Sequence, residues 1–293
     1  MRILLLGNTG QLGWELHRTL SPLGQVIALD YPDIDLTQPD SVRQTIRAAY
    51  PELIVNATAY TAVDRAEQEP ETALAINGAA PGVMAEQARK LGAALIHYST
   101  DYVFDGRQER PYVESDEPNP LGVYGQSKLA GERAVQQAAG AFLILRTSWV
   151  YSTRRSNFVL NVLDWARRQP TLRIVSDQVS NPTWARMLAE ISAQVVAQGH
   201  QDVRAYFRER SGLYHLAGDG YASRLDWAKA ALRCDPHKEQ QVTQAIQPAA
   251  TTDFPTPAER PLFSALNCDK FASTFGLRLP PWEQALRMAL EAG

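Results

Sequence analysis

The stretch "LLLGNTGQLGWEL", residues 4–16, decides the fold, because an apolar run leads through three glycines into a helical pattern. Gly7, Gly10 and Gly13 recur at intervals of three residues. Glycines at such a turn let the backbone approach a pyrophosphate and let helix and strand pack closely, while the helix N-terminus attracts the phosphate charge. The spacing differs from the standard G-x-G-x-x-G, but the order of strand, turn and helix predicts dinucleotide binding. A glycine-rich turn that binds nothing is the alternative.

The rest of the first half repeats this alternation of short apolar runs and amphipathic helical segments. Further strand candidates, rich in Ile, Val and Leu, are residues 26–30, 53–59, 94–100 and 142–148. Near-continuous apolar strands separated by helices predict parallel strands that are covered on both faces. The fold class is therefore α/β, with a Rossmann-like doubly wound parallel sheet.

The pattern changes at about residue 148, where helical segments begin to mix with isolated strands. We therefore predict two domains, a dinucleotide-binding Rossmann domain over 1–148 and a smaller mixed α/β substrate-binding domain over 149–293. Strands near 172–176 and 213–217 are predicted to return to the sheet of the first domain.

Charge and composition limit the partners of the 293-residue chain. Its 32 acidic and 29 basic residues give a net charge of −3 without a basic block, which disfavours a nucleic acid polymer or a membrane surface as partner. No apolar run approaches the ~18 residues of a membrane span, and the first apolar run is too short for a signal peptide. The only two cysteines, Cys234 and Cys268, lack metal-ligand spacing. A cytoplasmic setting fits best, although a disulfide stays open.

Asp30 ends the second predicted strand, at the position where an acid hydrogen-bonds the adenosine ribose in such folds. An acid there favours NADH over NADPH, whose 2′-phosphate it repels; a strand-end residue that caps a turn is the alternative. Other polar segments follow the strands at the carboxyl edge of the sheet, where ligands bind. The predicted cofactor contacts are Gly7, Gly10, Gln11, Leu12, Gly13, Asp30, Asp35, Leu36, Ala59, Tyr60, Thr61, Tyr124 and Lys128.

Candidate catalytic residues follow the fourth strand. Thr100 ends "ALIHYST", and Tyr124 and Lys128 form a Tyr-x-x-x-Lys pattern in "GVYGQSKLAGE", residues 122–132. That short pattern arises often by chance and in isolation fits a solvated helix surface. Together with the glycine turn, the three residues resemble the catalytic set of the short-chain dehydrogenase/reductase superfamily.

Within the extended branch of that superfamily, the chain resembles the dTDP-4-dehydrorhamnose reductase family. The resemblance rests on six blocks in order along nearly the whole chain: "GNTGQLGWEL", "NATAYTAVDRAE", "HYSTDYVFDG", "VYGQSKLAGE", "RTSWVY" and "PTPAERP". It implies that NADPH or NADH reduces the C4 ketone of dTDP-4-dehydro-L-rhamnose, in the last step of dTDP-L-rhamnose synthesis. It also implies that Tyr124 protonates the ketone oxygen and that Thr100 hydrogen-bonds it. Lys128 would orient the nicotinamide ribose and lower the phenol pKa from its usual ~10.

The resemblance also implies contacts with the substrate. Thr100, Asp101, Tyr102, Val103, Phe104 and Tyr124 would shape the sugar pocket. Trp149 would lie near the deoxysugar, and a core aromatic is the alternative. Arg260 would pair with the diphosphate, and a solvated loop charge is the alternative.

Some members of the family dimerise through a magnesium site made of acidic side chains from two helices. Glu15 and Glu190 are candidate ligands here, but Arg186 stands where a third carboxylate is expected. A cation at that position opposes Mg²⁺ binding, so no metal site is predicted, and a homodimer stays open.

Two other functions stay open at this stage. The first is a non-catalytic, cofactor-binding regulatory subunit, as in a relative of this family that partners methionine adenosyltransferase. The second is an epimerase or dehydratase of the same fold. The complete Thr100, Tyr124 and Lys128 set argues against the first, and the lack of an acid directly after Asp101 argues against a dehydratase.

Overall fold

The computed structural model describes residues 1–291. The strands are β1 Arg2–Leu6, β2 Gln25–Leu29, β3 Leu53–Asn56, β4 Ala94–Thr100, β5 Ala141–Thr147, β6 Val150–Tyr151, β7 Thr171–Val175, β8 Val179–Ser180, β9 Thr183–Trp184, β10 Gly212–His215, β11 Ala222–Ser223 and β12 Ala245–Ala249. The α-helices are α1 Gln11–Leu20, α2 Pro39–Ala49, α3 Val63–Ala66, α4 Pro70–Leu74, α5 Ala80–Leu91, α6 Val123–Ala138, α7 Phe158–Ala166, α8 Ala185–Gln198, α9 Val203–Glu209, α10 Arg224–Cys234, α11 Asp269–Phe275 and α12 Trp282–Glu291. A single π-helical turn, Ala75–Ala79, precedes α5.

The main sheet has six strands in the order β10-β5-β4-β3-β1-β2, and every neighbouring pair is parallel. This confirms the α/β, Rossmann-like, doubly wound sheet. β3 is shorter than predicted, since it ends at Asn56 and residues 57–59 leave the sheet. β2 lies on one side of β1 and β3 on the other, so the direction of the strand order reverses at β1. Ligands of doubly wound sheets bind at such a switch point, at the carboxyl ends of the strands.

Alternate residues of β1 face two different layers, which explains its continuous apolar sequence. Ile3 and Leu5 are fully buried in the layer that contains residues of α1 and α8. Leu4 and Leu6 are fully buried on the other side, with residues of α2 and α5. Successive side chains of a strand point to opposite faces, so a strand covered on both sides needs an apolar residue at each position.

The second part of the chain builds a separate apolar core and corrects one prediction. β7 does not return to the main sheet; it pairs in parallel with β12 in a two-stranded sheet. Thr171 and Arg173 are exposed, whereas Leu172 and Ile174 are buried in a cluster around Trp227. A strand with one solvated face fits the edge of a small lobe, whereas the interior of the main sheet needs strands that are apolar on both faces.

β10 does return to the main sheet, because it pairs in parallel with β5, as predicted for 213–217. The second part also contributes helices to the first core: Leu188 of α8 and Phe271 of α11 pack in the same cluster as Leu5. The division of the chain at residue 148 stays a prediction.

Within the described residues, no helix combines the length and apolar character that a membrane crossing requires. Cys234 and Cys268 are free thiols.

Candidate active site

The turn between β1 and α1 has a conformation that glycine adopts most readily. Gly7 has φ = +88°, and its carbonyl accepts a hydrogen bond from the amide of Gly10 at 3.1 Å. A β-carbon on Gly13 would lie 1.9 Å from the Gly7 carbonyl oxygen, so α1 packs against the turn too closely for any side chain. None of the described side chains caps the first turn of α1. Its free N–H groups and the helix dipole therefore favour a phosphate anion.

A cavity of about 900 Å³ runs along the carboxyl edge of the main sheet, a volume in the upper part of the range for ligand and cofactor sites. Most predicted site residues line it: Gly7, Gly10, Gln11, Leu12, Asp30, Asp35, Leu36, Ala59, Thr61, Thr100, Asp101, Tyr124, Lys128 and Trp149. The fold thus brings the predicted cofactor and catalytic residues to one cavity. The sequence interpretation missed Thr9, Thr58, Ser148 and Arg155, which also line it; only Thr9, inside the glycine turn, carried a signal.

Asp30 is fixed at the end of the cavity nearest the glycine turn. Its Oδ2 accepts hydrogen bonds from the Thr9 hydroxyl at 2.5 Å and the Thr9 amide at 3.2 Å. Its Oδ1 accepts from the amide of Tyr31 at 2.9 Å. A carboxylate has about four acceptor positions, so one is left for a ligand hydroxyl.

Two predicted cofactor residues, Gly13 and Tyr60, are not among those that line the cavity. Gly13 acts through its packing against Gly7, as described above. The Tyr60 hydroxyl donates to Glu69 at 2.6 Å, and its amide donates to the side chain of Asn77 at 2.8 Å. Tyr60 therefore anchors its loop to the neighbouring helical segment, and its contact with the cofactor stays a prediction.

Thr100 and Tyr124 face each other at the end of β4. Thr100 is the last residue of that strand, and Tyr124 lies in the first turn of α6. The Thr100 hydroxyl donates to Asp101 Oδ1 at 3.2 Å and accepts from the amide of Tyr102 at 3.2 Å. The ring of Tyr102 meets that of Tyr124 edge-on, with centroids 5.6 Å apart. The phenol and the hydroxyl are thus presented together to the cavity.

The phenol of Tyr124 is held in its protonated form. Burial raises its pKa, Asp101 and Tyr102 add to this, and a hydrogen bond with Thr100 opposes it. The expected lowering of the pKa by Lys128 is not seen, because burial dominates and the ammonium donates to the carbonyl of Tyr98. A protonated phenol is the form that a proton donor needs.

Lys128 is completely buried on α6 and its ammonium donates to the carbonyl of Tyr98 at 2.6 Å. Burial lowers the pKa of Lys128 to about 8, and the negative charge of Glu132 opposes this. Glu132 accepts two hydrogen bonds from Arg146, at 2.8 and 2.6 Å, and one from Ser99 at 2.5 Å. This buried network was missed, although the i,i+4 spacing of Lys128 and Glu132 was a signal for it.

Trp149 lies where the cavity meets the second apolar core. Its φ is +40°, a strained value for a bulky residue that surrounding packing must maintain and that is common at functional sites. Its ring stacks on Trp227 with centroids 5.3 Å apart, and the guanidinium of Arg224 lies 3.7 Å from the centre of the Trp149 ring. The sequence interpretation missed Arg224, for which no motif gave a signal.

Three predicted substrate residues differ from expectation. Phe104 is fully buried and stacks on Tyr112 at 4.0 Å, so it is a core aromatic and the prediction that it contacts the sugar is wrong. Val103 is likewise fully buried. Arg260 lies outside the cavity lining and forms an ion pair with Asp64 at 2.8 Å; its role at a diphosphate stays a prediction.

Asp101 lines the cavity, but its carboxylate is turned into the protein. Its Oδ2 accepts hydrogen bonds from Ser180 at 2.9 Å and Ser264 at 2.6 Å. Burial raises the pKa of Asp101, and hydrogen bonds from Ser264, Ser180 and Thr100 oppose this. The carboxylate therefore ties the end of β4 to two segments of the second half of the chain.

Glu15 and Glu190 form ion pairs with arginines. Arg18 contacts Glu15 at 3.2 Å and Glu190 at 3.1 Å, and Arg186 contacts Glu190 at 3.3 Å. In residues 1–291 no group of three or more metal-ligating side chains comes together. The positive charges of Arg18 and Arg186 beside these carboxylates repel a further cation.

The phenol and hydroxyl beside a dinucleotide-sized cavity define the class: a short-chain dehydrogenase/reductase of the extended type. The family model described as "RmlD substrate binding domain" matches residues 1–293, and the chain belongs to this family.

Relatives of known name and structure agree with this assignment. The chain is 42% identical to the dTDP-4-dehydrorhamnose reductase of Escherichia coli (strain K12) over 299 residues, covering 99% of this chain and 97% of that protein. The crystal structure of the dTDP-4-dehydrorhamnose reductase from Clostridium acetobutylicum superposes with a TM-score of 0.91 at 32% identity, covering 100% of this chain and 99% of that one. The Bacillus anthracis str. Ames dTDP-4-dehydrorhamnose reductase, solved in complex with NADP, gives 0.89 at 29% identity, covering 100% and 99%.

Proposed function

We propose that the chain reduces the C4 ketone of dTDP-4-dehydro-L-rhamnose to the alcohol of dTDP-L-rhamnose, with NADPH or NADH as reductant. The observation that carries the proposal is the meeting of Thr100, Tyr124 and Lys128 in the cavity that starts at the glycine turn. The names of the relatives, and the NADP bound to one of them, support the substrate and the cofactor.

The residues of the cavity fit a dinucleotide. The turn at Gly7 and Gly10 lets backbone approach a pyrophosphate, and the uncapped start of α1 supplies N–H donors. Asp30 keeps an acceptor position for a ribose hydroxyl. Lys128 has three N–H donors, of which the carbonyl of Tyr98 takes one, so the others serve the nicotinamide ribose.

The chain's own residues then supply positioning and a proton. A bound reduced nicotinamide would supply the hydride that reduces C4 of the sugar. Tyr124 donates its phenolic proton to the ketone oxygen, which becomes the new hydroxyl. Thr100, whose hydroxyl donates to Asp101 in the free protein, turns its proton to the same oxygen and hydrogen-bonds it as negative charge develops there. Positioned proton donation contributes roughly 10²–10⁴-fold to the rate, and orientation in the cavity adds to this.

The proposal also covers the role of Trp149, the cellular site of the reaction and the form of a possible dimer. Trp149 lies against the deoxysugar, because its ring lines the cavity next to the second apolar core. The cytoplasm is the expected site of a reaction that uses a reduced nicotinamide cofactor. A homodimer that used the face carrying Glu15 and Glu190 would pair through ion pairs.

A steady-state assay with product identification tests the function. We expect one NADPH or NADH to be consumed for each dTDP-L-rhamnose formed. Sugar conversion without net cofactor consumption would indicate an epimerase or dehydratase. Binding of the cofactor without turnover of any nucleotide-sugar ketone would indicate a regulatory subunit.

A further inference from the structure

Arg224 is a cation that lies near the catalytic residues without an acidic partner. It is the first residue of α10, and no carboxylate of residues 1–291 lies within ion-pair distance of its guanidinium. Its guanidinium lies instead near three aromatic rings. The distances to the ring centres are 3.7 Å for Trp149, 4.9 Å for Phe158 and 5.4 Å for Trp227. Aromatic faces stabilise a cation but accept few of its five N–H donors.

The charge of Arg224 is retained at neutral pH. Burial lowers the pKa of Arg224 to about 10, while Tyr102 and Asp101 oppose this, so the guanidinium stays protonated at pH 7. Removing a cation from water without a directly paired counter-charge costs free energy. Such a cost is offset if an anion binds there.

Tyr102 connects Arg224 to the catalytic phenol. Its hydroxyl lies close enough to Arg224 to raise the pKa of the guanidinium. Its ring meets that of Tyr124 edge-on, with centroids 5.6 Å apart, and both tyrosines line the cavity. Arg224 therefore lies about one tyrosine ring beyond the phenol that faces the ketone. In a nucleotide-activated 4-ketohexose, the diphosphate lies one pyranose ring beyond that ketone.

Arg260 is the other cation whose charge acts on Tyr102 and Arg224. Its guanidinium donates to Asp64 at 2.8 Å and to the carbonyl of Ala258 at 3.3 Å. Because its charge is already compensated, Arg260 is the weaker candidate for a ligand anion. Arg224, by contrast, forms no ion pair with any of the described residues, although Asp101 and Tyr102 act on its charge through space.

We propose that Arg224 binds the diphosphate of the nucleotide-sugar substrate and fixes the distance between that diphosphate and the ketone. This inference rests on the proposed function, since it assumes a nucleotide sugar in the cavity. Trp149, Phe158 and Trp227 would hold the guanidinium flat, so that its free edge meets the phosphate oxygens in two parallel hydrogen bonds.

Binding of dTDP and of thymidine to the NADP-saturated full chain tests the proposal, with calorimetry for dTDP and competition for thymidine. We expect Arg224→Met to weaken dTDP binding about 10- to 100-fold, the range for a hydrogen bond to a charged group, and to leave thymidine binding unchanged. Arg224→Lys keeps the charge, so it should lose less affinity for dTDP. The control is Arg210→Met, which removes another arginine packed on an aromatic ring, 4.1 Å from the centre of Tyr206, and should change neither affinity.

Binding of NADP by each variant shows that the variant is folded. If Arg224→Met does not fold, Arg224→Lys is used for the comparison with wild type. The proposal is overturned if wild type binds dTDP tightly and both Arg224 variants bind it as well, or if they lose dTDP and thymidine affinity equally. Either result would leave the reductase function standing. Failure of wild type to bind dTDP at all would overturn the function and the inference together.

Discussion

The buried carboxylate of Glu132 has two effects that the substitution Glu132→Gln makes measurable: it stabilises the fold through Arg146, and it raises the pKa of Lys128. The carboxylate accepts two hydrogen bonds from Arg146, and the two side chains are 2% and 3% exposed. Breaking a buried ion pair costs about 3–5 kcal/mol, so we expect the melting temperature to fall by on the order of 10 °C. The loss should be larger than for a surface ion pair such as that of Arg168 and Asp164.

The same substitution should change the pH dependence of the reaction. The Glu132 charge raises the pKa of Lys128, which burial holds at about 8. At the separation of about 6 Å that is typical of i,i+4 neighbours and an effective dielectric constant of about 20, a unit charge contributes about 3 kcal/mol. This corresponds to at most about two pH units. Without this charge Lys128 loses its proton at lower pH, so the alkaline limb of the kcat/KM profile should move down by one to two units.

The assay is kcat/KM against pH with a reduced nicotinamide cofactor and the ketosugar, since that parameter reports groups of the free enzyme. Arg146→Lys is the matched control: it breaks the paired hydrogen bonds and lowers stability but keeps both charges, so its alkaline limb should stay in place. An unshifted limb in Glu132→Gln, or an equal downward shift in Arg146→Lys, would refute the reasoning.

Two further outcomes follow from the same geometry. Lys128→Met should abolish most activity yet raise the free energy of unfolding at pH 7 by about 1–3 kcal/mol, because it removes a buried charge. The Lys128 pKa is about 8 in the folded protein, below its value in the unfolded chain, so the stability of the wild type rises with pH between these two pKa values. The stability difference between variant and wild type should therefore shrink above pH 8. A lower melting temperature for this variant at pH 7 would contradict the account of its burial. Gly13→Ala should weaken NADPH binding and stability far more than Gly140→Ala, because its β-carbon would lie 1.9 Å from backbone, whereas that of Gly140 meets nothing nearer than 3.6 Å; equal effects in binding and thermal melts would show that the turn tolerates a side chain.

The elements that could be predicted from sequence are those whose signal is local. Continuous apolar strands, the glycine turn and the Tyr-x-x-x-Lys spacing each depend on a few neighbouring residues. They therefore predicted β1 to β5 correctly, apart from the end of β3, and placed Tyr124 near Thr100. β7 was misplaced because its partner, β12, is about 70 residues away in the chain, and apolar content does not specify which sheet a short strand joins.

The features that escaped prediction depend on tertiary packing. The position of Phe104 just after β4 predicts a pocket residue. Only its stacking on Tyr112 in the folded protein shows that it belongs to the core. The stacking of Arg224 on Trp149 joins residues 75 positions apart. The raised pKa of Tyr124 follows from burial, which the spacing to Lys128 does not reveal.

Turnover by Tyr124→Phe tests most directly that this phenol supplies the proton to the ketone. The measurement is kcat for NADPH oxidation with dTDP-4-dehydro-L-rhamnose, beside the affinity for NADPH from fluorescence titration. We expect kcat to fall by about 10²–10⁴-fold with cofactor affinity within about twofold of wild type, because the ring and its packing on Tyr102 are kept. A variant that turns over at the wild-type rate would contradict the central claim.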